Sequence, residues 1–180
     1  MPRLRTVPRL AWLALVIVLL IGGGIRYHQS THPVEKISAD AQSYTNIAQN
    51  LARNGTYTGR SERGPVTKKA WERGKVQALH WPPATPHVFA LAYEIAPGAD
   101  PNDRDDVQVL HTTQFVISTL TILVAFLLGW VLAGGWAGVI TAAIVAVYPP
   151  LAWGPSTLLS EPLGALMVTS AFTAVALAWR

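Results

Sequence analysis

The sequence predicts an all-α polytopic membrane protein, with about four transmembrane helices and one large extracytoplasmic loop bearing a juxtamembrane helix. Of its 180 residues 51% are hydrophobic and only 13% are charged, a balance too apolar for an ordinary soluble domain. The charges are segregated as well. Ten of the 14 basic residues and nine of the 10 acids lie between Arg26 and Asp106, so one polar block stands among apolar segments. Cysteine is absent, which removes disulfides, thiolate nucleophiles and cysteine metal sites. The formal charge of +4 comes without a basic run interleaved with aromatics, so nucleic acid is not an expected partner.

Residues 1–180 read as a single membrane domain, with spans at about 8–25, 109–133, 136–148 and 162–179 and a loop at about 26–108. The first apolar core, Leu10 to Gly24, covers roughly 22 Å as a helix, against a hydrocarbon thickness of about 30 Å. Flanking residues and a snorkelling Arg9 bring it near spanning length. A basic leader before an apolar core also fits a cleaved signal peptide, but Gly22–Gly24 is a poor match to a small-x-small cleavage site. Arg3, Arg5 and Arg9 favour an inside N-terminus and an outside loop.

In that loop Ser38 is expected to cap a helix that Asn54-Gly55 stops. Asp40, Tyr44, Ile47 and Leu51 then share one face. Residues 55–75 are polar, basic and glycine-containing, as a loop would be. His80 to Pro86 reads as an extended proline-rich run leading into a short interfacial helix, Val88 to Ile95. Asp100 to Asp106 reads as a turn. Beyond it, Gly134-Gly135 makes a tight inner turn between the second and third spans. Trp12, Trp130, Trp136 and Trp179 fall at the inner interface, and Tyr27, Tyr148 and Trp153 at the outer one. Both ends of this segment are therefore expected on the cytoplasmic side of a plasma (inner) membrane.

Two isolated acids stand at outer ends of apolar segments. Asp40 has the chemistry of a general base toward an acceptor hydroxyl, or of a ligand to a divalent cation; an acid at a helix N-terminus is also favoured by the macrodipole alone. Glu161 follows Tyr148-Pro149-Pro150 and a Gly/Pro turn. A carboxylate at a membrane face is costly unless solvated or used, yet Ser160-Glu161-Pro162 is also a good helix start. His28 and His32, at i and i+4, would need a helix and further ligands to hold zinc, and solvated loop histidines are the better reading. Asp103, Asp105 and Asp106 lack the glycine and terminal glutamate of a calcium loop. Asn54-Gly55-Thr56 matches a glycosylation sequon, though Asn-Gly is also the expected helix stop. No metal site is assigned.

Three stretches carry a family resemblance. Asp40 through Tyr44, Ile47 and Leu51 to Asn54-Gly55 is the first. Pro82-Pro83-Ala84-Thr85-Pro86 followed by Val88 to Leu91 is the second. Tyr148-Pro149-Pro150 through Leu158, Ser160-Glu161-Pro162 and Leu163 is the third. In order and spacing they resemble the N-terminal part of a GT-C superfamily membrane glycosyltransferase, in the protein mannosyltransferase and aminoarabinose transferase group (family 39/83 type). The resemblance implies a sugar donor on a polyprenyl phosphate. It also implies inverting transfer outside the cytoplasm to a hydroxyl of a protein or of a cell-envelope glycan or lipid. Asp40 would be the catalytic or metal-associated carboxylate, and Glu161 would line the same cavity. Tyr44, His80 and Tyr148 are the candidate substrate-binding residues. A divalent cation is possible as cofactor. Many relatives carry a second acid directly after the first, where this chain has Ala41, so Asp40 would work alone. Arg53, Arg60, Lys68 and Lys69 are loosely placed candidates for the leaving phosphate. The family runs to about a dozen spans, so the chain is expected to be an N-terminal fragment, inactive by itself. A membrane-anchored binding or assembly protein is the alternative, and a small transporter subunit a third.

Overall fold

The computed structural model describes residues 6–34, 38–58, 81–103 and 106–179. Every regular element among them is a helix: α1 (Arg9–Thr31), α2 (Ala39–Asn54), α3 (Ala84–Ile95), α4 (Gln108–Ala133), α5 (Gly135–Val147), α6 (Pro149–Ala152), α7 (Gly154–Thr157) and α8 (Glu161–Ala178). Three of them, α1, α4 and α8, are long and apolar enough to cross a membrane, as expected for a membrane protein. The third expected span, α5, has only 13 residues, about 20 Å of helix. The chain divides into two compact units. One comprises Met1–Pro33, Gln114–Ser156 and Ser160–Arg180, the other Val34–Thr113 and Thr157–Leu159.

In the first unit, α1 and α4 run in opposite senses: Trp12 meets Phe126 at one end and Tyr27 meets Phe115 at the other, with ring centroids 5.5 and 6.0 Å apart. α5 runs the same way as α1, since Gly135 lies against Val7 and Pro8 while Gly22 lies against Ala146. The C-terminal ends of α4 and α8 meet where Leu128, Leu132, Phe172, Val175 and Trp179 line an apolar groove of about 440 Å³. The helices thus alternate in direction as the sequence implies. Trp12, Trp130 and Trp179 gather at the end expected to be inner.

Without a hydrophobic drive between helices in lipid, close packing needs small residues, and this core supplies them. Ala11, Leu15, Ile122, Phe126, Val139, Ala142 and Ala146 form it. A Cβ on Gly22 would stand 2.8 Å from Ala146 Cβ, and one on Gly138 would stand 2.7 Å from the Phe126 carbonyl oxygen. Gly134 turns the α4–α5 hairpin with φ 101°, a conformation open to glycine. α8 is different: only Pro162 and Thr173 are buried on it.

α1 extends six residues past the expected end of the first span. Its Arg26 is fully buried, so the charge that suggests a boundary in the sequence is an interior residue.

In the second unit α2 and α3 pack together around Ala41, Tyr44, Ala48, Phe89, Tyr93, Leu110 and Leu158. α2 starts and stops as its sequence implies. The Ser38 hydroxyl accepts from the Ala41 N–H at 3.2 Å, and Gly55 takes φ 64° while its N–H reaches Leu51 O. Asn54-Gly55 is thus the helix stop. α3 begins earlier than expected, at Ala84, with Pro86 in its first turn. The first turn has no intrahelical donors to lose, so proline is tolerated there. Because Phe89, Ala92 and Tyr93 are buried, α3 is also a core element of this unit.

Leu158 alone among the described non-glycine residues has a positive φ, 54°, and its side chain is fully buried. Truncation to alanine is expected to cost about 2–5 kcal/mol through lost packing. Leu158→Gly loses the same side chain but relieves about 1 kcal/mol of left-handed strain. Glycine is therefore expected to be the milder substitution, the reverse of the helical order, in unfolding measured on the two variants.

Candidate functional site

Asp40 lies in the first turn of α2 and is exposed. Among the described residues its carboxylate makes no hydrogen bond or ion pair. Since Ser38 already caps this helix, Asp40 is not consumed as the cap and keeps only its favourable place at the dipole. One turn on, Tyr44 is buried and packs edge-on against Trp81, with centroids 5.4 Å apart at 72°. Tyr57 completes this aromatic corner. Its hydroxyl donates to the Trp81 carbonyl at 3.0 Å, and its ring stacks on His87 at 5.5 Å. Burial, then the neighbouring Tyr44, raises the Tyr57 phenol above its ordinary value. The corner presents two half-buried ring systems, Trp81 and Tyr57, and an exposed imidazole, His87. His80, the preceding candidate, lies outside the described residues, as do Arg60, Lys68 and Lys69. Arg53 bonds Asn50 Oδ1 at 3.1 Å through Nη2.

Behind the corner, buried Gln49 donates to Tyr93 Oη at 3.3 Å and to the Asp103 carbonyl at 2.9 Å. Tyr93 Oη donates on to the Asp106 carbonyl at 2.7 Å. These bonds fasten the turn that the sequence places at Asp100 to Asp106. In that turn the Asp100 carboxylate is held below its usual range by the backbone and side chain of Asn102. Burial pushes the Tyr93 phenol up to about 12, with Asp106 and Asp103 adding to the rise and the Gln49 bond opposing it. An unfolded phenol ionises near 10, so the unfolded chain releases this proton first and stability falls as pH rises from about 10 to about 12. Tyr93→Phe is expected to cost about 1 kcal/mol at neutral pH. The gap between the variant and the wild type should close over the alkaline window in pH-dependent unfolding.

Tyr148 and Glu161 belong to the first unit. Tyr148 ends α5 with φ −65° and ψ 115° and is about half exposed. Glu161 opens α8, is exposed, and makes no bond to a described residue. The expected Ser160 cap does not form. A cap needs extended backbone, and Ser160 is already helical at φ −80° and ψ −14°, with no side-chain cap bond. Pro162 serves the first turn instead.

His28 and His32 do lie at a helix end, contrary to the loop expected for them. Their rings are 4.3 Å apart and His32 Nδ1 contacts the His28 carbonyl at 3.1 Å. Two ligands fall short of a metal centre, and no group of three or more His, Cys, Asp or Glu that could hold a metal occurs among the described residues.

Arg26 carried no signal as a site in the sequence. It contacts three carbonyls, two of them about 120 positions away, and spacing along the chain cannot show such a pairing. No family model, curated protein or solved structure matches this chain.

Proposed function

We propose that this membrane protein transfers a sugar from a polyprenyl-phosphate donor to an acceptor hydroxyl on the extracytoplasmic side of the plasma membrane. The observation that carries the proposal is Asp40: an unpartnered, exposed carboxylate on a helix whose capping is already done by Ser38. Such a group has its oxygens available to an acceptor hydroxyl. Asp40 takes the acceptor O–H proton as that oxygen bonds to the anomeric carbon from the face opposite the phosphate. The bond from the anomeric carbon to the phosphate oxygen breaks, and its electron pair leaves with the polyprenyl phosphate, so the anomeric centre inverts. The resemblance of the three stretches supports the donor class. Trp81 and Tyr57 offer apolar ring surface next to this helix, of the kind on which a sugar face can rest.

The test is donor consumption. Native membranes, in which the protein is present at its natural length, should on addition of polyprenyl-phosphate hexoses release free polyprenyl phosphate faster than membranes from a strain lacking it. No difference across the donor panel counts against the transferase.

A membrane-anchored binding module is the second proposal, and one observation favours it. The block between the first and second long helices has its own core, from Ala41 to Leu110 with Leu158. A transporter subunit is less favoured: Ser118 and Thr121 on α4 bond the carbonyls of Gln114 and Ile117 in their own helix.

A further inference from the structure

Arg26 is fully buried, and its hydrogen bonds go to backbone carbonyls. Nη1 donates to the carbonyls of Gly22 at 3.1 Å and Ala146 at 2.8 Å, and Nη2 donates to Val145 at 2.9 Å. In an α-helix the carbonyl of residue i accepts from the N–H of residue i+4. For Val145 that donor would be residue 149, and for Ala146 residue 150. Both are prolines, which have no N–H. Pro149-Pro150 therefore removes two donors from the end of α5, and Arg26 reaches the two carbonyls left behind.

Position makes this matter. Arg26 and Ala146 are both buried within the first unit, where a carbonyl left without a donor is costly. The partial negative charge at the C-terminus of α5 also faces the guanidinium. Gly22 completes the arrangement, because the close approach of Ala146 to α1 leaves no room there for a side chain.

We infer that Arg26 is a positioning residue. Its two terminal nitrogens substitute for the backbone donors that Pro149 and Pro150 remove, and so fix against α1 the point where α5 stops and the chain turns at Tyr148. Arg26 and the proline pair are a matched set: the prolines are harmful without Arg26. The inference does not depend on the reaction proposed above, because it concerns how the Tyr148 corner is held and not what the corner does.

The test is a cycle on the full chain in detergent, read as the half-life of the folded protein at a fixed elevated temperature. With both prolines present, Arg26→Met is expected to shorten the half-life about tenfold or more, because one buried and one part-buried carbonyl lose their donor. On a Pro149→Ala/Pro150→Ala background, backbone N–H groups return at both positions, and the same substitution should shorten it less than about threefold. Equal losses on the two backgrounds would overturn the inference. If Arg26→Met with prolines fails to accumulate in membranes, accumulation restored by the two alanines supports the matched set, and failure to restore it overturns it. Arg26→Lys separates the fork from simple charge. A lysine half-life between those of arginine and methionine is expected, since an ammonium lacks the planar pair of donors. Lysine equal to arginine would reduce the role to charge against dipole and overturn the fork.

Discussion

Asp40→Asn is expected to lower sugar transfer by about 10²–10⁴-fold, the range for loss of a general base. The substitution keeps size and shape and removes only the basic oxygen. The α2 start should survive it, because the Ser38 hydroxyl, not Asp40, accepts from the Ala41 N–H. Accumulation and thermal stability should therefore change by no more than the few tenths of a kcal/mol of a screened charge–dipole contact. Asp103→Asn is the control. The Asp103 backbone carbonyl, which accepts from Gln49, is kept in the variant. In a strain whose growth depends on the protein, the Asp103 variant should complement and the Asp40 variant should not. Equal growth of the two would remove Asp40 from the chemistry.

Gly138→Val is expected to damage the helical bundle severely. Its Cβ would fall 2.7 Å from the Phe126 carbonyl oxygen and 2.9 Å from the Phe126 ring. A ring can rotate away, but a backbone oxygen in a continuous helix cannot. α5 would have to move off α4, with a loss of about 3 kcal/mol or more. Gly164→Val places a side chain where nothing lies within 4 Å, and should be near neutral. Thermal stability of the two variants, purified in the same detergent, checks the contrast. Similar losses would mean that the α4–α5 approach does not set the cost.

What could be read from the sequence was mostly local. Ser38 and Gly55 mark the ends of α2 because cap and stop act within one turn. Gly134 marks the hairpin because few other residues take its φ. The long apolar runs of α4 and α8 were found within a residue of their observed ends. Less was legible where distant residues decide. The carbonyls of Val145 and Ala146 that hold Arg26 lie about 120 positions away from it. Pro86 looked like part of an extended run, although a first helical turn accepts proline. Ser160 looked like a cap, but its backbone does not leave the helical region. Of the candidate site, Asp40, Tyr148 and Glu161 were legible as residues at helix ends. The burial of Tyr44 and the stacking of Tyr57 on His87 depend on α2 meeting α3, which no spacing rule provides.

Asp40 can serve an extracytoplasmic donor only from the outer side of a membrane, and the absence of cysteine makes its side directly measurable. Asp40→Cys gives a single thiol, to be labelled in intact cells with a membrane-impermeant maleimide. Labelling without permeabilisation is the predicted result, and places the carboxylate where an extracytoplasmic lipid-linked donor can reach it. Labelling only after the membrane is opened would put this block in the cytoplasm and contradict the proposed reaction.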